Sequence, residues 1–467
     1  MSVESLISRT CLQQGVKPRY LAIADELGQL VQNGQLPTGE RLPPQRKLAA
    51  HLGVTAGTIS HAYTLLEQRG IATARVGDGT YVRAPDAART QAQPAHTQGP
   101  IDLAHNIAIP THDDLALAHS IRDLADQPAQ LRQVLSYQSE HGLTAHRESG
   151  ARWLQRFGLP GDSNRVMVTH GAQHGLACVL RTLARPGDAV LTENLSYPGL
   201  QALARMMRLQ LVGIETDAQG LLPDALDHAA RHIDARLLYC APSLHNPTNA
   251  TMGLERRSAI AQVVAKHNLL LIEDAVHAAA LQNPLPALST WMPEQSFFLT
   301  SFSKVMGPGL RVGYIEAAPQ WLSKFAAGMR ADCWMVAPLM PAVASHWIDS
   351  GVIDSLITAQ RDAVASRLHS ALHILNTVPG LECRSDAESP LIWLPLPEPW
   401  RAGQFSATLR QAGVLVRTAD HFAVGRSSAP HAVRISLNAA RSVADVETGL
   451  AAIAAVLNGG VAGQMEA

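Results

Sequence analysis

The residues with the clearest chemical potential lie around Lys304, in the run SFSKVMGPGLR at positions 301–311. A lysine becomes a nucleophile, for instance toward an aldehyde carbon, when burial or nearby positive charge lowers the pKa of its ammonium group. Ser301 and Arg311, which follows Lys304 by seven residues, supply hydrogen-bond donors suited to a phosphate, and Ser303 adds a hydroxyl next to the lysine. A solitary lysine is usually a solvated surface residue, but this long and rare spacing favours a chemical role.

Further polar residues stand where predicted strands end. Gly171, Ala172 and Gln173 follow a strand that ends at Thr169, and they open a helix. The backbone N–H groups and dipole at such a helix start are suited to a phosphate, although many strand–helix turns share this pattern. Asp274 ends another apolar strand, at the edge where α/β sheets place their ligands.

Pyridoxal 5'-phosphate (PLP) requires residues of these kinds. Its covalent chemistry needs a lysine, an acid for the pyridine nitrogen, an aromatic side chain over the ring and several phosphate donors. The chain supplies them in the order found in fold-type I aminotransferases, which residues 101–457 resemble. The resemblance implies that Lys304 carries PLP and that Asp274 keeps the ring nitrogen protonated. It also implies a set of cofactor-binding residues, namely Gly171, Ala172, Gln173, Tyr197, Asn246, Asp274, His277, Ser301, Ser303, Lys304 and Arg311.

Several of these assignments have alternatives. Tyr197 in the segment LSYP is suited to stacking on the ring, but a tyrosine in such a segment, taken alone, is more often a core or turn residue. Asn246, in NPT, matches the family asparagine that bonds the phenolic oxygen of PLP. Arg434 lies inside an apolar strand and needs an anionic partner. The resemblance makes that partner the α-carboxylate of a substrate or effector, whereas the alternative is an internal salt bridge.

Two positions depart from the family pattern. Asn249 stands where glycine is usual, which raises the expectation of a shifted loop. His277 stands where a tyrosine commonly bonds the ring oxygen, and a histidine is shorter and titrates near neutral pH. We therefore expect PLP binding to be retained, and we leave open whether the protein transaminates.

A different set of motifs occupies the N-terminal region. Apolar residues at helical spacing predict a helix over Tyr20–Val31, and Gln45–His51 and Thr55–Arg69 predict two more, the last capped by Thr55. Ile71–Val82 predicts a hairpin that turns at Gly77-Asp78-Gly79. Between positions 17 and 83 there are eight Lys or Arg against five Asp or Glu, a net +3 that has the sign nucleic acid requires. The order of elements is that of a winged helix-turn-helix.

Residues 20–82 resemble the GntR-type winged helix in four motifs: P-x-G-x-R-L-P at 37–43, R-x-L-A at 46–49, L-G-V-T at 52–55 and G-x-G-T-Y-V at 77–82. The resemblance places the third helix in the major groove and the basic residues near phosphates or the minor groove. The expected DNA-binding residues are Arg41, Arg46, Lys47, Thr55, Gly57, Thr58, His61, Arg75 and Gly77. Ala56 replaces the usual arginine, so base preference is not carried over. The alternative is a three-helix packing module with incidental arginines.

Length and composition set the remaining expectations. A chain of 467 residues predicts two or three folded units, and 46% apolar with 16% charged residues predicts well-buried cores. The cysteines at 11, 178, 240, 333 and 383 are scattered, which argues against a disulfide framework or zinc site and fits the cytoplasm. Apolar runs long enough for a signal peptide or a membrane span are missing from the sequence.

The predicted fold class is α/β, with a winged helix-turn-helix followed by a fold-type I aminotransferase-like domain. That domain should contain a mostly parallel sheet and a smaller C-terminal α+β part. The predicted boundaries are 1–83 for the DNA-binding domain, 84–100 for a linker, 101–317 for the large domain and 318–467 for the small domain. The linker is polar and rich in Pro, Ala and Gln.

The combined architecture resembles the MocR subgroup of GntR regulators. The leading hypothesis is a homodimeric, PLP-dependent regulator that binds an operator in double-stranded DNA and senses PLP itself, an amine or an amino acid. A second is a working aminotransferase with an accessory DNA-binding module. A third is a DNA-binding protein with an inactive scaffold, which intact Asp274, Lys304 and Arg311 disfavour.

Overall fold

A computed structural model of the chain describes residues 18–32, 35–36, 39–69, 71–75, 79–82, 99–111, 113–425 and 428–462. The chain separates into two compact units, one formed by the N-terminal residues up to position 99 together with positions 403–407 and 428, and the other by the rest of the chain. Each unit has its own apolar core. Within the described segments, no helix combines the length and the apolar character that a membrane span needs.

The N-terminal unit is a small helical domain with a hairpin. It consists of α1 (Arg19–Gln32), α2 (Gln45–Leu52), α3 (Ala56–Gln68) and the antiparallel strands β1 (Ala72–Arg75) and β2 (Gly79–Val82). Apolar side chains from all three helices form one buried cluster that includes Ile23, Leu48 and Ile59. The order of three helices and a hairpin confirms the predicted winged helix-turn-helix.

The turn between α2 and α3 follows from local residue chemistry. Gly53 adopts a left-handed conformation (φ 70°), which ends α2. Thr55 then caps α3, because its hydroxyl oxygen accepts a hydrogen bond of 3.2 Å from the backbone N–H of Thr58. An ion pair of 2.7 Å between Arg69 and Asp25 joins the end of α3 to α1. The predicted hairpin turn at 77–79 includes positions 77 and 78, which lie outside the described residues.

Apart from positions 403–407 and 428, the described chain from Pro100 onward forms the second unit, which alternates helices and strands. Its helices are α4 (Asp113–Ala125), α5 (Pro128–Val134), α6 (Thr144–Leu154), α7 (Ala172–Leu183), α8 (Pro198–Met207), α9 (Pro223–His232), α10 (Leu254–Lys266), α11 (Pro319–Cys333), α12 (Leu339–Ser350), α13 (Val352–Leu375), α14 (Ala402–Gln411) and α15 (Val443–Ala462). Its strands are β3 (Ile101–Asp102), β4 (Val166–Thr169), β5 (Ala189–Glu193), β6 (Gln210–Ile214), β7 (Thr216–Asp217), β8 (Gly220–Leu221), β9 (Ala235–Cys240), β10 (Leu270–Asp274), β11 (Ser296–Ser301), β12 (Gly313–Ala317), β13 (Arg384–Ser385), β14 (Leu391–Pro395), β15 (Val414–Leu415), β16 (Arg417–Thr418) and β17 (Ala432–Ser436). Short 3-10 turns cover Gln155–Phe157, Ser163–Arg165, Ala278–Ala280, Leu288–Trp291, Pro308–Leu310 and Ala419–His421.

A seven-stranded sheet forms the centre of this unit, in the order β4-β12-β11-β10-β9-β5-β6. Neighbouring strands are parallel except at β12, which runs antiparallel to both β11 and β4. Most of these strands are buried along their length, which explains why they appear in the sequence as continuous apolar runs. The prediction of a mostly parallel sheet is confirmed, and the strand ends expected at Thr169 and Asp274 are those of β4 and β10.

A smaller antiparallel sheet accompanies the C-terminal helices. Its strand order is β13-β14-β17-β16, and α13 packs against α15 beside it. Strand β3 pairs in parallel with β15, so the first described residues after position 98 are joined to the C-terminal part of the chain. This pairing holds residues 104–106, which follow β3, close to Arg417 and Arg434 of the smaller sheet.

The backbones of three strands approach one another closely beside Gly313. Gly313 pairs with Ser301 of β11 and with Thr169 of β4. A Cβ atom at position 313 would lie 2.7 Å from the carbonyl oxygen of Thr300 and 2.8 Å from the carbonyl carbon of Gly171. Only glycine lets the ends of β4 and β11 lie this close together.

We expect Gly313→Ala to destabilise the second unit by about 1–3 kcal/mol, because the added methyl group meets backbone atoms that cannot move aside. Chemical denaturation of the full chain measures the loss as a lower midpoint. Gly309→Ala is the matched control, because a Cβ there meets nothing within 4 Å. Equal midpoints for the two variants would contradict this account of the close approach.

Candidate functional site

Lys304 lies three residues after the end of β11, with its side chain among charged groups. Its Nζ donates a hydrogen bond to the carbonyl oxygen of Asn106. Burial lowers the pKa of Lys304 to about 8, and the positive charges of Arg434 and Arg311 act in the same direction, while Asp274 opposes them. The amine is therefore far closer to neutrality at physiological pH than an ordinary lysine.

Asp274 is fixed at the carboxyl end of β10. Its Oδ2 accepts a 2.5 Å hydrogen bond from the hydroxyl of Tyr239 on β9, and its Oδ1 accepts one of 3.0 Å from the N–H of Val276. Burial raises the pKa of Asp274, and these hydrogen bonds oppose the rise. The preceding Glu273 points to the other face of the sheet, where Ser289 donates to it through both N–H and hydroxyl. The alternation of side chains along the strand therefore assigns Asp274, and not Glu273, to the site.

Gly171 and Arg311 form a cradle at the start of α7. Gly171 has a φ of 77° and precedes Ala172, the first residue of the helix. A Cβ at Gly171 would lie 3.0 Å from Nη2 of Arg311, and that nitrogen donates a 3.0 Å hydrogen bond to the carbonyl oxygen of His170. Ser301 is buried at the end of β11, beside Gly313. Helix N–H groups and a guanidinium thus meet at one edge of the sheet, as a phosphate requires.

Gln173 and Tyr197 meet at Gly199. The side-chain amide of Gln173 donates to the carbonyl oxygen of Gly199 at 3.1 Å, and a Cβ at Gly199 would lie 2.2 Å from the ring of Tyr197. Partial loss of hydration raises the pKa of Tyr197 to about 12, and the Asp274 carboxylate adds to the rise, although Tyr197 remains 37% exposed. The charge of Asp274 affects the pKa of Tyr197, so the two side chains lie near each other. This favours a role for Tyr197 in the site over a role as a turn residue elsewhere.

Arg434 extends from β17 into the same region. Its Nη1 donates to Oδ1 of Asn246 at 3.0 Å, and its Nη2 donates to the carbonyl oxygen of Ala104. Its guanidinium lies 5.1 Å from the centre of the Phe422 ring. Arg434 is only 5% exposed. Among the described residues no carboxylate lies within ion-pair distance of it, so an internal salt bridge is not observed.

Asn249 adopts a left-handed conformation (φ 59°), which asparagine tolerates better than most residues other than glycine. Its side-chain amide donates to the carbonyl oxygen of Leu391 at 2.6 Å and accepts from the hydroxyl of Ser389 at 2.7 Å. The asparagine therefore fastens the loop that carries Asn246 to the smaller sheet, a contact that glycine could not make.

His277 differs from the expectation drawn from its sequence. Burial lowers the pKa of His277 to about 3, and the positive charges of Lys304 and Arg434 lower it further. The expectation that it titrates near neutral pH is therefore wrong, because a second positive charge is disfavoured in this buried, cationic setting. At physiological pH His277 is a neutral imidazole.

Buried polar atoms without a hydrogen-bond partner surround this region. They are Nδ2 and Oδ1 of Asn106, Oε1 of Gln173, Nε2 of His245 and Nε of Arg434. Unpaired buried polar groups are costly, so such a concentration is typical of a ligand site. The donor set fits PLP, since it offers a phosphate cradle, a carboxylate for a ring nitrogen and a lysine. In the described segments His, Cys, Asp and Glu side chains form no group of three that could hold a metal ion.

In the N-terminal unit, the residues predicted to face the bases are mostly accessible. Thr55, Gly57 and His61 are exposed, while Thr58 is half-buried with its hydroxyl 2.9 Å from that of Thr55. The ring of His61 packs edge-on against Tyr20, with centroids 5.9 Å apart.

The structure describes only some of the residues predicted to contact phosphates. Arg41, Arg46 and Lys47 are exposed, and the Arg41 guanidinium covers Gly79 of the hairpin. The backbone of Arg75 lies in β1, but its side chain is outside the description, and Gly77 lies outside the described residues.

Sequence reasoning missed the partners of the predicted residues. Tyr239, which bonds Asp274, lies near the carboxyl end of β9 and could have been found by the rule that singled out Asp274. The carbonyl groups of Ala104 and Asn106 carry no sequence signal, because every residue has one. Their contacts to Arg434 and Lys304 span 330 and 198 positions.

Comparison with known families agrees with both halves of the fold. Residues 101–453 match the family "Aminotransferase class I and II", and residues 19–82 match "Bacterial regulatory proteins, gntR family". Since these two models together cover most of the chain, it belongs to the GntR-type transcriptional regulators that carry an aminotransferase-like domain, the MocR subgroup.

Individual relatives extend this result. An uncharacterized HTH-type transcriptional regulator of Bacillus subtilis, YdeF, is 30% identical over 94% of this chain and 94% of its own length. The HTH-type pyridoxine biosynthesis transcriptional regulator PdxR of Corynebacterium glutamicum is 29% identical over 63% of this chain and 65% of its own. Among solved structures, an archaeal alanine:glyoxylate aminotransferase covers 78% of this chain and 92% of its own with a TM-score of 0.71, but its 22% identity shows the fold alone.

We expect apo protein to take up PLP at a rate that rises with pH to a midpoint near 8, because the neutral amine of Lys304 is the reactive form. Stopped-flow absorbance between pH 6.5 and 10 measures this midpoint. Arg434→Gln should move the midpoint upward, because it removes a charge that lowers the pKa. A wild-type midpoint near 10.5, the ordinary value for lysine, would contradict the burial of the amine. Lys304→Ala should show no borohydride-trapped adduct.

Proposed function

We propose that this regulator binds PLP through Lys304 and that occupation of the site changes how the protein binds DNA. The observation that carries the proposal is the setting of Lys304, whose amine has its pKa lowered to about 8 and lies within electrostatic reach of Asp274, Arg311 and Arg434. For a lysine with a purely structural role, burial among other cations would only destabilise its charged ammonium group. A lysine that must react with an aldehyde gains a neutral, nucleophilic amine.

The other residues of the site then have complementary roles. Gly171, Ala172, Gln173, Ser301 and Arg311 would hold the phosphate, with Ser303 beside Lys304 as a further donor. Asp274, positioned by Tyr239, would keep the pyridine nitrogen protonated, since a buried cation needs a counter-ion. When bound, PLP supplies an electron-withdrawing ring and an aldehyde that reacts with amines.

The remaining residues would contact the ring and its ligand. Tyr197 would stack on the ring, while Asn246 and neutral His277 would hydrogen-bond its oxygen. Arg434 would bind the carboxylate of an amino acid. The support is that Arg434 is buried and has no ion-pair partner among the described residues, while its Nε lacks any hydrogen bond. A carboxylate would satisfy both the charge and the unpaired donor.

Ligand binding can influence the DNA-binding unit through residues 104–106. Arg434 donates to Ala104 and Lys304 donates to Asn106, so both cations hold a segment that follows shortly after positions 84–98 in the sequence. A cofactor on Lys304 and a carboxylate on Arg434 would compete for these donors. Occupation of the site would therefore alter the anchoring of the chain close to the point where the two units are joined.

A working aminotransferase is the second candidate, favoured by the retention of Lys304, Asp274 and Arg434 in one site. The membership in a regulator family favours sensing over metabolism. A steady-state assay with a panel of amino donors and keto acids separates the two, because sustained multiple turnover would favour the enzyme. A DNA-binding role places the protein in the cytoplasm.

We also propose that the protein is a homodimer through its larger unit. Leu135, Tyr137 and Trp334 are 86%, 82% and 57% exposed, and the rings of Tyr137 and Trp334 lie 6.1 Å apart. Large apolar side chains that cluster on a surface mark an interface more often than a solvated face. Sedimentation velocity at micromolar concentration should show a dimer that is weakened by Tyr137→Ser with Trp334→Ser. A wild-type monomer would contradict the proposal.

The DNA-binding residues predict two distinct effects. Arg46→Ala should weaken binding to every sequence and reduce the salt dependence by about one unit of slope per half-site, because a phosphate contact is lost. His61→Ala should instead change which sequence is preferred. Fluorescence anisotropy with a selected operator and with random duplex, from 50 to 300 mM salt, measures both. Arg231→Ala is the charge control, since Arg231 is exposed in the larger unit and pairs with Asp227.

An unchanged salt slope for Arg46→Ala, or a uniform loss of affinity for His61→Ala, would contradict the assignment of these two side chains.

A further inference from the structure

A second arginine stands beside Arg434. Arg417 of β16 is directly opposite Arg434 in the antiparallel pairing with β17, so their side chains leave the sheet on the same face. Like charges in this position repel each other. Burial and then the charge of Arg417 lower the pKa of Arg434 to about 9. The pair is therefore destabilising unless an anion offsets it.

Arg417 forms no direct ion pair with a carboxylate among the described residues, although the charge of Asp102 raises the pKa of both arginines. Its Nη2 makes a 3.1 Å hydrogen bond to Nε2 of His105, and Nδ1 of His105 makes one of 2.6 Å to Oδ2 of Asp102. Because a guanidinium can only donate, this contact requires the His105 tautomer in which Nε2 accepts and Nδ1 carries the hydrogen that faces Asp102. Asp102 is already engaged by His105 and by the backbone N–H groups of Ala104 and His105, at 2.8 and 3.1 Å. Among the described residues no carboxylate forms an ion pair with either arginine.

Both guanidinium groups contact adjacent residues of one segment. Arg434 donates to Ala104, Arg417 to the ring of His105, and Lys304 to Asn106. Three cationic side chains are thus satisfied here by weak neutral acceptors on three consecutive residues. Each could exchange its neutral acceptor for an anionic one, and a carboxylate accepts charge-assisted, bidentate bonds from arginine.

We propose that the ligand of this site is an amino acid whose side chain carries a second carboxylate. Arg434 would bind its α-carboxylate, and Arg417 would bind the distal one in place of His105. The inference rests on the proposed function, because it assumes that the larger unit binds an amino acid. A ligand with two carboxylates would offset the charge of both arginines. An amino acid with one carboxylate would leave Arg417 hydrogen-bonded to His105.

The test compares acidic amino acids with neutral isosteres on PLP-loaded protein. Visible absorbance and calorimetry give Kd values for L-glutamate, L-2-aminoadipate, L-glutamine and L-norvaline. Wild-type protein should prefer L-glutamate or L-2-aminoadipate over the two neutral ligands by roughly tenfold to one-hundredfold, because a charge-assisted contact is gained. Arg417→Gln should abolish this preference with little effect on the neutral ligands, and Arg417→Lys should retain part of it.

Arg410→Gln is the matched control. Arg410 lies at the end of α14, is exposed, and is close enough to Arg417 to influence its pKa, which burial lowers foremost. This variant removes the same charge without touching the proposed contact, so it should keep the preference. Loss of preference in both variants would show a general field effect and overturn the assignment to Arg417.

Further outcomes distinguish failure of the acidic-ligand proposal from failure of the proposed function. Equal affinity of wild-type protein for glutamate and glutamine would overturn the acidic ligand while leaving an amino-acid sensor intact. A parallel loss of affinity for all four ligands in Arg417→Gln would show that Arg417 only positions residues 102–105. If wild-type protein loaded with PLP bound none of the amino acids, the proposed function itself would fail.

Discussion

The larger unit depends on how it accommodates positive charge that is withdrawn from water. Lys304 follows β11 of the central sheet, Arg434 and Arg417 lie in the smaller sheet, and all three side chains contact residues 104–106. Burial lowers the pKa of each of them. Within the described segments, Asp274 and Asp102 are the carboxylates that act on them electrostatically. Uncompensated buried charge is costly, so this arrangement persists only where anions bind or where a neutral amine is the useful form. The fold therefore forms this site at a cost in its free energy of unfolding.

The path of the chain determines which residues share this charge. Parallel strands bring their carboxyl ends to one edge, which places Asp274 beside Tyr239 and sets Gly171 against Gly313. The smaller sheet adds Arg434 and Arg417 from the far end of the sequence, and the pairing of β3 with β15 brings residues 104–106 between them. One site is thereby assembled from segments more than 300 positions apart.

Much of this could be predicted from the sequence, for identifiable reasons. Lys304, Asp274 and Gly171 occupy strand ends or glycine-rich turns, where local pattern and chemistry coincide, and the helix-turn-helix is specified by short-range signals such as the Thr55 cap. The charge state of His277 could not be predicted, because it depends on Lys304 and Arg434, which only the fold brings near. Arg417 was missed for the same reason, since its position opposite Arg434 is a property of strand register. The contacts of Ala104 and Asn106 are made by backbone atoms, which no pattern of side chains reveals.

The central claim is that occupation of the Lys304 site alters DNA binding. Its most direct test is the affinity of the full chain for an operator selected from a random library, measured for the same preparation without PLP, with PLP, and with PLP and L-glutamate. We predict a change of roughly fivefold to 150-fold between at least two of these states, which is the ordinary range for coupled sites, and no change on adding PLP to the Lys304→Ala variant. Identical operator affinity in all three states would contradict the sensor account while leaving DNA binding intact.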